Sequence, residues 1–381
     1  MIAAPRPIQR PPDARLLAID ADGTLRHAPR AEWPRLLERG DLVVANDAAT
    51  LPASLAGVHV RTGAVIEARL AQRASLDPHD VLEWVAVVFG AGDHRTRTED
   101  RPAPPELRAG DALRLGPLRA VVLRTLGHPR LVALRFEATI DDIWAGLASH
   151  GRPIQYAHLQ PALALWDVWT PIAGFPAAFE APSAGFALDW RALADLRERG
   201  VAFATVTHAA GISSTGDARL DRRLPLDEPY RIPATTARAI ARAHERGGRV
   251  IAIGTTVVRA LESAAARDGR VRAGEAIATM RVGAHTPLRI VDAILSGTHE
   301  PGTSHYELLR AFADDATLRR ADAELEGQAY RTHEFGDSVF VERATCRARD
   351  LFRGPGALMG PVRFQNRCGA AIVHARSRHF A

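Results

Sequence analysis

The densest group of chemically useful side chains in this sequence lies between Arg249 and Ala265, RVIAIGTTVVRALESAA. The apolar run Val250-Ile251-Ala252-Ile253 stops at Gly254, two threonines follow, and Arg259 and Glu262 sit at helical spacing beyond them. That order predicts a buried strand, a tight turn and a helix start. The N–H groups of a helix N-terminus favour an anionic or strongly polar ligand, which Gly254, Thr255, Thr256, Arg259 and Glu262 would surround. The same residues have a purely structural use. Thr255 or Thr256 would cap the helix, and Arg259 and Glu262, three residues apart, would pair on its face.

Further candidates lie on either side. VTHAAGISSTGD, Val206 to Asp217, follows a strand-like run and puts His208 at its carboxyl end, the place where open α/β sheets bind ligands. In APSAG, Ala181 to Gly185, a turn offers N–H groups and the Ser183 hydroxyl, although an ordinary loop has the same composition. IVDAILSGTHEPGTSHYELL holds Asp292, His299 and Ser304. His299 and His305 are too irregularly spaced for a zinc pair on one helix and have no evident third ligand, so no metal is expected. YRTHEFGDSVFV supplies Glu334, Gly336 and Asp337 before a strand, where a tight Gly-Asp turn is the structural alternative.

One motif points elsewhere. LLAIDADGTL, with Asp20, Asp22, Gly23 and Thr24, matches the first signature of haloacid-dehalogenase-type phosphatases, whose paired aspartates act as nucleophile and acid/base beside magnesium. Asp-Gly is also a strong hairpin-turn dipeptide. Short β-like segments follow it rather than a helix, and the chain has no lysine to supply that fold's later basic residue. The hairpin is therefore the preferred reading.

These residues need elements to position them. Residues 15–26 read as two strands about a turn, and Asp41 to Asn46 as another strand. From about Leu51 to Phe136 the segments are short, alternating and β-like, separated by Gly, Pro and charged turns, as in a small all-β module. After Asp141 helical periods appear at 141–149, 189–199, 234–246, 256–267 and 304–325. They interleave with apolar strands at 201–206, 250–253, 278–282 and 338–341, the pattern of an α/β layer. The expected fold class is α/β, a mixed-sheet main domain interrupted by a small all-β barrel-like domain. The main domain would comprise 1–52 plus 140–343 and the insert 53–139, with an arginine-bearing extension over 344–381.

Composition bounds the function. The 381 residues are 46% hydrophobic and 24% charged, values of a globular protein with a sizeable core. No apolar run approaches the roughly 18 residues of a membrane span, and MIAAPRPIQRPPDAR lacks a signal-peptide core. Two cysteines, Cys346 and Cys368, make no metal spacing, so a reducing cytoplasm is expected. All 49 basic residues are arginine, which keeps the pI high at a net charge of only +5. Arginine-favouring codon usage accounts for that, while bidentate phosphate contacts would permit a nucleic-acid partner.

Taken in order, these segments resemble the S-adenosylmethionine:tRNA ribosyltransferase-isomerase family of queuosine biosynthesis, from about Asp13 to Glu342. VIAIGTTVVRALESAA looks like its VGTTSVRTLE-type motif at Gly254, Thr255, Thr256, Val258, Arg259, Leu261 and Glu262. PSAG is similar to its PTAG, and Ile290 to Leu295, including Asp292, to its VVDALL. THEPGTSHY keeps His299, Pro301 and Ser304 of FHLPxSTL, and YRTHEFGDSVF keeps Tyr330, Arg331, Gly336 and Asp337 of YRFFSYGDAML. GDLVVANDAATLPASLAG keeps Gly40, Asp41, Asn46 and Asp47 of GDLLVFNDTRVIPARL. This alignment also reads LLAIDADGTL as the family's opening hairpin.

The resemblance implies an α/β domain interrupted by a β-barrel-like one. It implies transfer of the ribosyl part of S-adenosylmethionine to the aminomethyl group of a 7-deazaguanine at a tRNA wobble position, with loss of adenine and methionine. The sulfonium acidifies an adjacent C–H, so the site needs a base; departing adenine needs a proton or equivalent stabilisation. On that footing His208 and His299 are candidate bases or acids, and Arg259 is grouped with them as catalytic. Asp337 and Glu262 would suit a cation or ribose hydroxyls, and Thr255, Thr256 and Arg259 polar or anionic groups. Ser183, Gly185, Gly254, Asp292, Ser304 and Gly336 complete the expected binding set. The implied partners are S-adenosylmethionine, as co-substrate rather than prosthetic group, and a tRNA anticodon loop, bound by a cytoplasmic monomer.

Four stretches depart from the family. Its RYQT appears as Asp167-Val168-Trp169-Thr170, and its HVGAGTF as HAAGISS, which keeps His208. HSEYYEV keeps Glu228 and Tyr230 but has Leu226 for its histidine, and PGYxF is replaced within GAHTPL. Two of these changes remove aromatic or planar polar groups of the kind that read a nucleobase. The alternatives are therefore a paralogue that binds S-adenosylmethionine but uses another acceptor, and a non-catalytic RNA-binding protein on the same fold.

Overall fold

The computed structural model describes residues 1–344. Cys346 and Cys368, and all but the first residue of the expected extension, lie outside the described residues. A nine-stranded mixed sheet forms the main body. Its strand order is Gly274–Ala278, Glu228–Ile232, Ala202–His208, Leu42–Asn46, Val250–Ile253, Ala293–Gly297, Ser338–Glu342, Arg15–Ile19 and Leu25–Pro29. The four strands from Ala202–His208 to Ala293–Gly297 run parallel.

Alternation along the strands explains why this sheet is covered twice. Leu42, Val44, Val250, Ala252 and Ile294 enter one core with Ile240, Val257 and Leu261 of helices Ala234–Glu245 and Thr255–Ala265. Val43, Ala45, Ile251, Ile253 and Leu295 enter the other with Trp33 and with Leu196 of helix Trp190–Arg199. Successive side chains of a strand point to opposite faces, so an unbroken apolar run such as VIAI marks a strand buried on both.

The alternating segments between Ser54 and Phe136 close into a six-stranded barrel. Every neighbouring pair in it is antiparallel. Leu55, Ile66, Leu70, Val88 and Leu113 fill its interior, and the same apolar cluster continues through Phe179, Ala209 and Ile212 of the main body. An α/β architecture interrupted by an all-β barrel is thus what the chain adopts.

Details differ from the sequence reading. The helix expected over 304–325 is two, Ser304–Leu309 and Asp315–Gly327, because Asp314 caps the second by accepting from Thr317 N. The edge strand expected at 278–282 is Gly274–Ala278. Strands Glu228–Ile232 and Ala293–Gly297 were not anticipated; the first contains Pro229 and the second ends in Ser296-Gly297. The Asp22-Gly23 turn is the hairpin between Arg15–Ile19 and Leu25–Pro29, with Asp20 N donating to Thr24 O and the Asp20 carboxylate held by Arg26. That geometry replaces the phosphatase reading. Among the described residues no helix is long and apolar enough to cross a membrane.

Candidate active site

The four parallel strands end at one edge of the sheet. Val206 is in register with Asn46, and Ile253 with both Ala45 and Leu295, so the chain exits at His208, Asp47, Gly254 and Thr298 lie side by side. Strand Ser338–Glu342 runs the other way, which brings Asp337 and Ser338 to the same edge beside Gly297. Asn46 stitches it. Its Nδ2 donates to His208 O at 3.0 Å and to Thr256 Oγ1 at 3.4 Å, while its Oδ1 accepts from His208 N at 2.9 Å.

Gly254 makes the turn into helix Thr255–Ala265 with φ of 93°, a conformation that favours glycine. A Cβ there would stand 3.3 Å from Ala184 Cβ, so the Ser183–Ala187 turn rests against the strand exit. Gly185 is tight in its turn: a Cβ would meet Thr170 Cγ2 at 2.8 Å. The expected threonine cap is absent, since Gly254 is the N-cap and no side chain accepts from the helix. Instead Thr255 Oγ1 lies 2.9 Å from His305 Nδ1. The His305 ring stacks on His299 at 4.7 Å and 17°, and His299 Nε2 meets Ser296 Oγ at 2.9 Å. Ser304, partly buried, begins the helix that carries His305.

Burial sets the protonation of these histidines. His299 is held well below the ordinary imidazole range, by burial first and then by His305 and His333 nearby. His305 is lowered as well, again by burial. Both are neutral at physiological pH and so able to accept a proton. His208 is buried completely and lowered to about 3, by desolvation and then by Arg259. Its Nε2 is 3.3 Å from Glu228 Oε2 without hydrogen-bond alignment. A base that weak, closed off from solvent, positions the strand exit better than it takes protons.

The charged residues expected in the site are engaged by the protein itself. Arg259 pairs with Glu228, and donates to Met280 O at 2.9 Å and to Leu226 O and Ala278 O at 2.7 Å each. Its expected partner, Glu262, instead accepts from the N–H groups of Arg289, Ile290 and Val291 at 2.8, 3.0 and 2.9 Å. Asp292 lies at the opposite end of the sheet, just before strand Ala293–Gly297, where it accepts from Val250 N and from Arg343. Asp337 accepts from the backbone N–H groups of Arg15 and Arg331 at 2.8 Å and from both their guanidinium groups at 3.2 Å. Gly336 sits where a Cβ would come within 2.4 Å of Arg331 O. Arg259, Glu262, Asp292 and Asp337 thus have their charges met by protein groups, as buried and half-buried polar groups require.

A profile described as "Queuosine biosynthesis protein" matches residues 1–341. The chain belongs to the queuosine biosynthesis protein family. It is 32% identical over 346 residues to the S-adenosylmethionine:tRNA ribosyltransferase-isomerase of Thiobacillus denitrificans, covering 88% of this chain and 94% of that protein. Proteins with the same name from a Methylobacterium species and Sorangium cellulosum are 32% and 33% identical, over 91% and 89% of this chain and 96% and 95% of theirs. The crystal structure of the S-adenosylmethionine tRNA ribosyltransferase from Thermotoga maritima matches with a TM-score of 0.47 at 24% identity, over 89% of this chain and 96% of that one.

Within this member of the family, a second polar group borders the edge, of which the sequence reading named only Glu334. Tyr156 donates to Glu180, immediately before the 181–185 turn, and also lies 3.1 Å from Ser214 O. Burial pushes the Glu180 carboxyl up to about 7 against the pull of Tyr156, with Glu334 adding repulsion. His158 lies 3.1 Å from Glu334 Oε2, and its ring stacks on His333. These residues come from separate loops with no periodicity to join them, so only the fold brings them together. The departing stretch 167–170 lies nearby: Trp169 Nε1 donates to Thr50 O, and Trp166 beside it is 75% exposed.

Proposed function

We propose that this chain transfers the ribosyl moiety of S-adenosylmethionine onto 7-aminomethyl-7-deazaguanine at the tRNA wobble position and isomerises it. The products would be epoxyqueuosine-tRNA, adenine and methionine. The observation that carries this reading is the family match along residues 1–341. The histidine pair His299–His305 beside the open first turn of helix Thr255–Ala265 supports it.

In this reading His299 takes the proton that the sulfonium acidifies. It suits the task because burial keeps it neutral, and Ser296 and His305 fix its ring. Thr255, Thr256 and the free N–H groups of the helix start would meet polar groups of the ribose and adenine. Ser183 and the turn that contains it would close the other wall. The anticodon loop would enter past Trp166 and the 167–170 stretch, where exposed indoles can stack on unpaired bases. Transfer needs no metal and no prosthetic group, and a tRNA substrate places the enzyme in the cytoplasm, where it would act as a monomer.

A second reading keeps the donor and changes the acceptor. It is favoured by Tyr156, Glu180, His158 and Glu334, an acid-rich group beside loops that depart from the family. One assay separates the two. The protein is incubated with S-adenosylmethionine and tRNA carrying the aminomethyl-deazaguanine, and digested nucleosides are read by mass spectrometry. Epoxyqueuosine with release of adenine is the expected result. Its absence, alongside tight S-adenosylmethionine binding by calorimetry, rejects the wobble-base acceptor in favour of the second reading.

A further inference from the structure

Two segments distant in sequence meet beside the His299–His305 pair. His158 comes from the loop after helix Ile140–His150, and His333 and Glu334 from the turn before strand Ser338–Glu342. The His158 and His333 rings stack at 4.1 Å and 15°. One ligand atom from each of His158, His333 and Glu334 lies within 4.8 Å of the others. Among the described residues, His333 is also one of two non-glycine residues with positive φ, at 68°. A left-handed backbone costs such a residue on the order of 1 kcal/mol and persists where the surroundings fix it, often at a binding site. Here Gly336 N donates to His333 O at 3.0 Å, and Asp337 is locked by Arg15 and Arg331.

We propose that His158, His333 and Glu334 form a binding site for a divalent transition-metal ion of the zinc class. Two imidazoles and one carboxylate are a borderline-soft donor set that suits zinc and leaves a fourth position open. Ligand atoms about 2.1 Å from a tetrahedral ion stand roughly 3.4 Å from one another. The spread of 4.8 Å exceeds this by little more than about 1 Å, a difference within the reach of side-chain rotation. His333, which is exposed, supplies that rotation. Stacked rings hold their lone pairs in parallel planes, so an ion in the plane of His158 would draw the His333 ring out of the stack. The ion would also replace the proton that His158 now shares with Glu334. Its open position would face the recess lined by Tyr156, Glu180 and Phe335, where an oxygen ligand such as water or a hydroxyl fits the chemistry.

The test uses chelator-stripped full-length protein, titrated with zinc by calorimetry and with cobalt by visible absorption. One ion per chain and a cobalt spectrum of tetrahedral nitrogen–oxygen type are expected. His333→Gly removes the imidazole and relieves the left-handed strain, His158→Phe keeps a ring in the stack, and Glu334→Gln keeps a hydrogen-bonding group. Each should weaken zinc binding at least about tenfold, and zinc should raise the melting temperature of the parent protein but not of these variants. No binding by the parent protein overturns the proposal. So does binding that all three variants retain, or a cobalt–thiolate charge-transfer band, which would put the ion on the cysteines. None of these readouts depends on ribosyl transfer, so this site and the proposed activity stand or fall separately.

Discussion

At the scale of single residues, two side chains of the GTTVVR segment separate chemistry from scaffold. Arg259 is 4% exposed and its guanidinium is spent on Glu228 and three carbonyls. Arg259→Met leaves Glu228 as a buried, uncompensated charge, which costs about 3–5 kcal/mol. Denaturant unfolding should show that loss, and adding Glu228→Gln should recover much of it, because the orphaned charge is then gone. A single variant that kept full stability and lost only activity would restore the catalytic role for Arg259. Thr255 predicts the opposite pattern. Its hydroxyl meets His305, which stacks on His299. Thr255→Val should lower kcat about ten- to hundredfold while moving stability by less than about 1 kcal/mol. Thr255→Ser should restore the rate. Loss of rate in the serine variant with the valine variant unaffected would show that the methyl group, not the hydroxyl, matters.

At the scale of elements, the strand–turn–helix unit works through contact between two turns. A methyl group at Gly254 suffers twice, from φ of 93° and from Ala184 Cβ at 3.3 Å. Gly269 has a similar φ of 73° but nothing within 4 Å of its Cβ position. Gly254→Ala should therefore cost about 1–2 kcal/mol and also raise the KM for S-adenosylmethionine, as the 183–187 turn is pushed away. Gly269→Ala should show the backbone cost alone, with KM unchanged; an equal KM change in both would disconnect the turn from the donor site. How much of this unit was legible follows from range. Strand Val250–Ile253 and helix Thr255–Ala265 were readable because apolar periodicity is local. The partner of Arg259 was not: Glu262 is near in sequence, but Glu228 is the residue that the antiparallel strand Glu228–Ile232 delivers. Pro229 hid that strand, and with it the ion pair. His299 and His305 were visible as residues and were set aside as metal ligands. Their stacking sets the loop after strand Ala293–Gly297 against the first turn of helix Ser304–Leu309, an arrangement that spacing does not encode.

At the scale of the whole molecule, barrel and sheet are joined by one apolar cluster. Trp84 of the barrel meets Phe179 edge-on at 5.8 Å, and Ala209 and Ile212, just beyond His208, belong to the same core. Loss of order at the His208 strand exit thus reaches both parts, and protonation of His208 becomes a global stability term. The unfolded chain binds that proton near pH 6.5, whereas the folded chain resists it until about pH 3. The folded pKa is depressed, so the stability is fully present above about 6.5 and is lost as pH falls through that window toward 3. Linkage sets the loss at up to about 1.4 kcal/mol per pH unit. His299, His305 and His333 are lowered too and act in the same direction. Unfolding free energy measured by urea at steps from pH 8 to pH 4 should therefore decline steadily below about 6.5. His208→Gln, which keeps a polar side chain in the buried space without an ionisable group, should reduce the slope by close to one proton. An unchanged slope would mean that His208 takes up its proton without unfolding, by opening the 208–214 loop to water, and the strand exit would then be a mobile part of the site rather than a fixed wall.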